Sequence, residues 1–188
     1  MIDKKVVVTV IWEKNGYVLR ASCREDAERY YSENFNPLHP ETARLTGSRQ
    51  DFGREEVIAF FLRCLEEENR YDFLLIAPDG RIIGETVLNE WNKETASANF
   101  RVAIFNPADW NKGLGSWAVR ETVAFAFGKT PLRRLELGVY ACNPRALHVY
   151  EKLGFQRTQI IPAMAAGSAD EIIMELTKSQ WEKQNKGE

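Results

Sequence analysis

The stretch Asn143–Phe155, NPRALHVYEKLGF, carries the signals that begin and end a helix. Asn143 is a residue type that caps helix N-termini, Pro144 suits the first helical position, and Gly154 suits the left-handed position after the last turn. These signals predict a helix over Pro144–Leu153. They do not explain the rest of the string, including the tyrosine in its middle.

A glycine-rich stretch, Asp109–Trp117 or DWNKGLGSW, precedes another predicted helix, Gly115–Phe127, which we expect Gly128 to end. The first N–H groups of a helix have no partner within it, and together with the helix dipole they attract phosphate. Glycine allows a phosphate to approach the backbone closely. Taken alone, the stretch fits either a phosphate-binding loop or a flexible connection to the helix.

Two nucleotide-binding motifs overlap this region. Gly113–Ala118 matches the dinucleotide pattern G-x-G-x-x-A, but that pattern needs its first glycine directly after a strand. Here Asn106–Lys112 intervenes, and hairpins precede it where a doubly wound fold would have alternating strands and helices. Gly128–Thr130 resembles the end of a P-loop, but Val123 stands where that motif needs its first glycine. We therefore disfavour an NAD site and exclude a P-loop.

The rest of the chain predicts one mixed sheet. Turn residues join two pairs of apolar runs into hairpins, Val6–Trp12 with Tyr17–Ser22 and Asp72–Ala77 with Arg81–Asn89. Because hairpins come first and alternating strands and helices follow, we predict an α+β fold with a central mixed, largely antiparallel sheet flanked by helices. The other predicted elements are helices over Glu25–Glu33 and Arg54–Glu67 and strands over Ser97–Phe105, Leu135–Tyr140, Gln159–Ile161 and Glu171–Leu176.

Three further predictions concern the start of a helix, a loop and the extent of the domain. Ser22 and Glu25 have the spacing of a capping box at the start of the first helix. Asn36–Gln50 contains two prolines and a glycine, so we expect a loop there. We expect a single domain over residues 1–177, followed by a polar, linker-like tail over residues 178–188.

Composition narrows the classes of function. The chain has 188 residues, 44% of them hydrophobic, and a formal net charge of −2, which is typical of a soluble globular protein without a basic surface for nucleic acid or membranes. Cationic amines remain as partners. The three cysteines lack metal-ligand spacing, so we expect no metal and a reducing, cytoplasmic compartment. No apolar run approaches the ~20 residues of a membrane span, and no signal-peptide cleavage pattern follows the short N-terminal run.

Together, the glycine-rich stretch and the stretch that contains the predicted helix Pro144–Leu153 resemble the GNAT N-acetyltransferase superfamily. The resemblance is in particular to its ribosomal-protein-acetyltransferase-like branch of the RimJ/RimL type. That family has a loop of the form Q/R-x-x-G-x-G/A at the start of a helix and, one strand later, N-x-x-A-x-x-x-Y-x-x-x-G-F. Here the loop is Trp110–Gly115, in which Trp110 replaces the usual polar residue. The second pattern matches at Asn143, Ala146, Tyr150, Gly154 and Phe155.

The resemblance implies acetyl-CoA as co-substrate. The backbone amides of Asn111–Ser116 would hold the diphosphate, with the charge of Lys112 beside them. The end of the preceding strand would pair with the pantetheine arm, and one of its N–H groups would meet the thioester oxygen. Asn143 would bond to pantetheine. The full implied set is Ala103, Ile104, Phe105, Asn111, Lys112, Gly113, Leu114, Gly115, Ser116, Asn143, Ala146 and Tyr150.

The implied reaction is direct attack of a primary amine on acetyl-CoA, so one proton leaves the ammonium and another reaches the CoA thiolate. Tyr150 is the candidate acid, because a phenol of pKa ~10 can protonate a thiolate of pKa ~8.5. The alternative is a core tyrosine on the same helix. Some relatives carry a catalytic glutamate where this chain has Gly138. The base is then Glu136, Glu85 or a water chain to bulk solvent.

The acceptor amine is left open by the sequence. A protein N-terminus comes first, and a polyamine, aminoglycoside or other small amine comes next. In the family, Asn36–Gln50 and the helix after it shape this site, with Trp91, Glu90 and Asp51 as further candidates. We expect a monomer or homodimer. Two other classes stay open: a catalytically idle CoA-binding domain that senses CoA or mediates assembly, and a domain for a different ligand.

Overall fold

The computed structural model describes residues 11–164 and 169–185, which form an eight-stranded sheet flanked by six α-helices. The strands are β1 Ile11–Lys14, β2 Tyr17–Ala21, β3 Tyr71–Ile76, β4 Ile82–Asn92, β5 Ser97–Ile104, β6 Arg134–Tyr140, β7 Gln156–Ile161 and β8 Glu171–Thr177. The helices are α1 Ala27–Asn34, α2 Pro40–Thr46, α3 Arg54–Glu66, α4 Leu114–Lys129, α5 Pro144–Lys152 and α6 Lys178–Asn185. The predicted α+β class is confirmed.

The strands lie in the order β1-β2-β3-β4-β5-β6-β8-β7, and every neighbouring pair is antiparallel except the parallel pair β5–β6. Both predicted hairpins are present. Asn15 and Gly16 turn the first one with φ of 51° and 80°, as a two-residue turn with left-handed positions requires. The predicted first strand began at Val6, and its part before Ile11 lies outside the described residues.

Helices cover the sheet on both faces and create two cores. On one face, α4 and α5 bury Trp117, Phe127 and Tyr150 against residues of β3 to β6 and β8. On the other face, α1 to α3 enclose a smaller aromatic core that includes Tyr30 and Phe105. The end of β5 therefore lies between two packed layers, which fixes its position.

The start of α1 differs from the predicted capping box. The backbone N–H of Cys23 donates to the Asp26 carboxylate at 2.9 Å, and a short 3-10 turn, Arg24–Asp26, precedes the helix. The cap therefore begins one residue later than Ser22. Asp26 replaces Glu25 because its carboxylate also pairs with Arg20 at 2.6 Å.

The predicted loop Asn36–Gln50 contains α2, so that prediction is wrong over this part. Pro40 occupies the first helical turn, and the Nδ1 atom of His39 accepts a hydrogen bond from the N–H of Glu41 at 3.2 Å. Gly47 ends the helix with φ of 67°. Proline and glycine mark helix ends as well as loops, and here they mark the two ends of one short helix.

Two further differences concern the end of α4 and the segment after β8. Gly128 does not end α4, which continues to Lys129. The polar segment expected as a linker-like tail is helical over Lys178–Asn185. This helix is held by the Trp181 ring, which lies 5.7 Å from that of Phe127. The ammonium of Lys178 also donates to the carbonyl oxygen of Phe127 at 2.6 Å, so an aromatic and a polar contact hold this segment against α4.

A fork in the sheet positions the site. The parallel pairing of β5 with β6 covers only Ser97–Asn99, and beyond it the two strands separate. Helix α2 lies across this opening. Its Thr42 hydroxyl donates to the carbonyl oxygen of Phe105 at 2.7 Å, and Gly47, at its end, lies so close to Tyr140 of β6 that a side chain there would collide.

Candidate active site

A cavity of about 310 Å³ lies beyond the point where β5 and β6 separate. Its walls come from α2, the end of β5, the glycine loop Trp110–Gly115, and the first turns of α4 and α5. The structure brings together all of the implied CoA-binding residues except Phe105 and Lys112. The two sequence motifs that lie far apart in the chain therefore form one cavity.

The glycine loop turns sharply into α4. Asn111 and Gly113 have φ of 60° and 71°, both left-handed, and Gly113 is the residue that precedes the helix. The first helical hydrogen bond runs from Trp117 N–H to the carbonyl of Gly113, so the amides before Trp117 have no helical partner. A Cβ at Gly115 would meet only Ile104, at 4.0 Å. The protein leaves open space where an anion would bind.

The end of β5 presents only some of its backbone to the cavity. The Phe105 N–H donates to Ile83 on β4 at 2.9 Å, and its carbonyl accepts from Thr42. Because backbone groups alternate in direction along a strand, the N–H of Ile104 faces the opening of the fork. Ala103 and Ile104 line the cavity, whereas Phe105 does not.

The cations near the loop are not arranged as the sequence suggested. The ammonium of Lys112 lies 2.8 Å from the buried carboxylate of Asp109 and does not line the cavity. Arg145, on the first turn of α5, does line it. Its guanidinium lies 3.7 Å from the centre of the Trp110 ring. Local sequence patterns do not mark Arg145, because its partner Trp110 lies far away along the chain.

Two further polar residues line the cavity, Asn143 just before α5 and Tyr150 within it. Asn143 accepts the N–H of Ala146 on its Oδ1 at 3.1 Å, and its amide nitrogen bonds to none of the described residues. Tyr150 is 5% exposed, and its ring packs against Phe100 and Phe155. No described residue hydrogen-bonds its hydroxyl. Burial raises the pKa of Tyr150 above the ordinary value, so the phenol stays protonated.

Neither glutamate that the sequence offered as a base lines the cavity. Glu136 pairs with Arg134 at 2.7 Å and lies opposite Asn99, where β5 and β6 are still joined. The carboxylate of Glu171, from β8, covers Gly138 so closely that a Cβ there would overlap it. Glu171 thus occupies the space that a side chain at position 138 would fill.

Glu85 lies on the other face of the sheet, beneath α1 and α3. Its side chain is 12% exposed, and it accepts a hydrogen bond from the Tyr30 hydroxyl at 2.8 Å. Arg101 is 3.8 Å away. Burial, the largest effect, raises the pKa of Glu85, and the Arg101 charge partly opposes this. Glu85 lines a separate cavity of about 20 Å³.

We expect Glu85→Gln to stabilise the protein near neutral pH. The pKa of Glu85 in the folded protein lies above the unfolded value of about 4.3. The contribution of Glu85 to the free energy of unfolding is therefore fully present below the unfolded pKa and is lost as the pH rises through the folded pKa. The loss is about 1.4 kcal/mol for each unit of difference. Thermal melting of both proteins should show an advantage of the variant that grows with pH. An advantage that is equal at every pH would contradict this reading.

The acceptor candidates from the sequence lie elsewhere. Trp91 packs 6.2 Å from Tyr71, and Glu90 and Asp51 are exposed. None of the three lines the cavity, whereas α2 does so through Thr42 and two neighbours. In the described ranges, no cluster of three or more metal-ligating side chains is present, and no helix is long and apolar enough to cross a membrane.

The chain is similar to known proteins in sequence and in fold. A family model described as an acetyltransferase (GNAT) domain matches residues 17–156. A probable N-acetyltransferase of Bacillus subtilis, YjcK, is 31% identical over 109 residues, which are 57% of this chain and 60% of that protein.

Two solved structures show the same fold at low sequence identity. Ribosomal-protein-S5-alanine acetyltransferase from Vibrio fischeri is 19% identical with a TM-score of 0.79, covering 92% of this chain and 98% of that one. Spermidine N-acetyltransferase from Vibrio cholerae, solved with CoA and spermine, is 20% identical with a TM-score of 0.77, covering 89% and 99%. The family match over most of the chain confirms the resemblance seen in the motifs: this chain belongs to the GNAT acetyltransferase family.

Proposed function

We propose that the protein is an acetyl-CoA-dependent N-acetyltransferase that acts on a primary amine. The observation that carries the proposal is the single cavity formed by the glycine loop, the end of β5 and the start of α5. Acetyl-CoA supplies the activated acetyl group as a thioester. The protein supplies the binding surface and a buried phenol at the far wall.

In this proposal the parts of CoA would follow one another along the cavity. The amides of Asn111–Ser116 and the open space beside Gly115 suit a diphosphate. The N–H of Ile104 faces the fork, where an extended arm can pair with β5 as a strand would. The free amide nitrogen of Asn143 can donate to the same arm. Tyr150 then lies on the α5 wall, where the thioester end would arrive.

Tyr150 holds the proton that the departing thiolate needs. Tyr150 lines the cavity, and its hydroxyl has no hydrogen-bond partner among the described residues, so none of them competes for that proton. Its raised pKa keeps it protonated through the physiological range. Because negative charge on the sulfur grows during the reaction, a donor placed there acts mainly in the transition state.

The proton of the attacking ammonium leaves through water in this proposal, because Glu136 and Glu85 are both outside the cavity. We therefore expect the acidic limb of the kcat/KM profile to persist in Glu136→Gln and in Glu85→Gln. Glu171→Gln belongs in the same comparison, since its carboxylate covers Gly138. Loss of the acidic limb in one variant would identify that glutamate as the base and contradict the water path.

A protein N-terminus is the first acceptor we propose, followed by a polyamine, aminoglycoside or other small amine. The structural relatives support both groups of acceptor, because one is a ribosomal-protein-S5-alanine acetyltransferase and another is a spermidine N-acetyltransferase. A net charge of −2 suits cationic acceptors. Helix α2, which lines the cavity, is the element that we expect to contact the acceptor.

One assay separates this function from its alternatives. Release of CoA thiol from acetyl-CoA should require an amine, and a panel of N-terminal peptides, polyamines and aminoglycosides should show which one. A CoA-binding domain without catalysis would be stabilised thermally by CoA but release no thiol above background. A domain for another ligand would show neither effect.

A further inference from the structure

Arg145 and Trp110 form a stacked pair at the mouth of the cavity. The guanidinium carbon of Arg145 lies 3.7 Å from the Trp110 ring centre. Trp110 donates its indole N–H to the carbonyl oxygen of Ile104 at 2.9 Å. Both side chains line the cavity. The start of α5, the glycine loop and the end of β5 are thus joined through one tryptophan.

Arg145 is available to an anion. Among the described residues that line the cavity, it is the one with a cationic side chain. It forms no ion pair with any described carboxylate, and Glu41, whose charge reaches it, is already paired with Arg44 at 2.7 Å. A guanidinium that stacks by its face keeps the N–H donors at its edge free for two oxygens of one phosphate.

The lysine in the loop cannot serve in the same way. The ammonium of Lys112 is held by Asp109 at 2.8 Å, and Arg81 lies 3.7 Å from the same carboxylate. Asp109 is buried, so freeing Lys112 would leave this buried carboxylate with less compensation. The positive charge expected beside the glycines is therefore neutralised, and Arg145 provides one from the opposite wall.

We infer that Arg145 binds a phosphate group of CoA through the edge of its guanidinium, and that Trp110 positions it. This inference rests on the proposed function, which supplies the ligand. It assigns a role to the tryptophan that stands where the family usually has a polar residue. Two parts of CoA share the required chemistry, namely the diphosphate and the 3′-phosphate.

Binding of CoA to Arg145→Gln tests the inference directly. We expect the Kd for CoA, measured by calorimetry, to rise about 10- to 100-fold, as is usual when a charge-assisted hydrogen bond is lost. Arg120→Gln is the matched control, because it removes the same charge from an exposed position on α4 outside the cavity. Its Kd should equal that of the wild type. Arg145→Lys should recover only part of the affinity, since it keeps the charge without the fork.

Dephospho-CoA distinguishes the two phosphate sources. If Arg145 binds the 3′-phosphate, wild type should bind dephospho-CoA more weakly than CoA, and Arg145→Gln should bind both equally. If it binds the diphosphate, the substitution should weaken both ligands by the same factor. Either result supports the inference.

A double-mutant cycle tests the positioning role. Trp110→Leu removes the ring. It should weaken CoA binding when it is introduced into the wild type, but should cause almost no further loss when it is introduced into Arg145→Gln. Trp110→Phe keeps a ring and loses only the bond to Ile104, so it covers the case in which the leucine variant does not fold. Fully additive effects on binding would refute the claim that Trp110 acts through Arg145.

The failure of the inference differs from the failure of the proposed function. If wild type binds CoA and Arg145→Gln binds it equally well, the inference alone is overturned. If wild type binds neither CoA nor acetyl-CoA, the proposed function fails and the inference fails with it.

Discussion

Tyr150→Phe is expected to lower kcat by about 10²- to 10⁴-fold, the usual contribution of a positioned acid, while the Kd for CoA stays almost unchanged. The phenyl ring keeps the packing against Phe100 and Phe155. The lost hydroxyl has no described partner, so its removal leaves no buried group unsatisfied. Single-turnover rates and CoA binding, measured on the same preparation, separate the two effects.

Tyr71→Phe is the matched control for this experiment. Tyr71 is also buried, at 6% exposure, and burial raises its pKa as well, but it lies away from the cavity. Its substitution should leave kcat unchanged. If Tyr150→Phe turns over at the wild-type rate, Tyr150 is a core residue and the acid role is wrong.

The protonation of Tyr150 adds a prediction about pH. Because burial raises its pKa, the acid remains protonated well into the alkaline range. The kcat profile of the wild type should therefore show no decline from this group between about pH 7 and pH 10. An alkaline limb in that range that vanishes in Tyr150→Phe would show that the phenol titrates lower in the working enzyme.

Gly115→Gln is expected to raise the Kd for CoA by about 100-fold or more, since it fills the cradle and blocks several hydrogen bonds worth about 1.5–3 kcal/mol each. The fold should be unaffected. A Cβ at this position meets only Ile104, at 4.0 Å, and replacing a helical glycine favours the helix by up to about 1 kcal/mol.

Gly128→Gln provides the control within the same helix. Gly128 also lies in α4, and a Cβ there has nothing within 4 Å. Both variants should melt at or above the wild-type temperature, and only Gly115→Gln should lose CoA binding. Equal CoA affinity of the two variants would show that the space beside Gly115 does not hold the ligand.

The sequence predicted the site better than it predicted the chemistry of single side chains. Most of the implied CoA-binding residues meet in one cavity because they belong to two local motifs, each at the start of a helix. Lys112 and Phe105 do not line it. The ammonium of Lys112 pairs with Asp109, and the carbonyl oxygen of Phe105 accepts a hydrogen bond from Thr42. Thr42 is distant from Phe105 in the chain, and although Asp109 lies only three residues before Lys112, their pairing depends on how the loop folds.

Helix α2 was predicted as a loop from the sequence. Its sequence is short, and its proline and glycine fit a loop as well as a helix. What decides between them is the contact with the fork, where Thr42 bonds to Phe105. Short helices owe most of their stability to such tertiary packing.

By itself, the sequence determined the α+β class, the hairpins, the glycine loop and the helix that carries Tyr150. These features follow from backbone preferences and apolar periodicity, which act between residues close in the chain. Only the tertiary structure decided that Arg145 faces the cavity, that Glu85 lies beneath Tyr30 and that Glu171 covers Gly138. Each of these depends on side chains from distant segments competing for the same space and charge, and that competition is settled only when the sheet and helices pack.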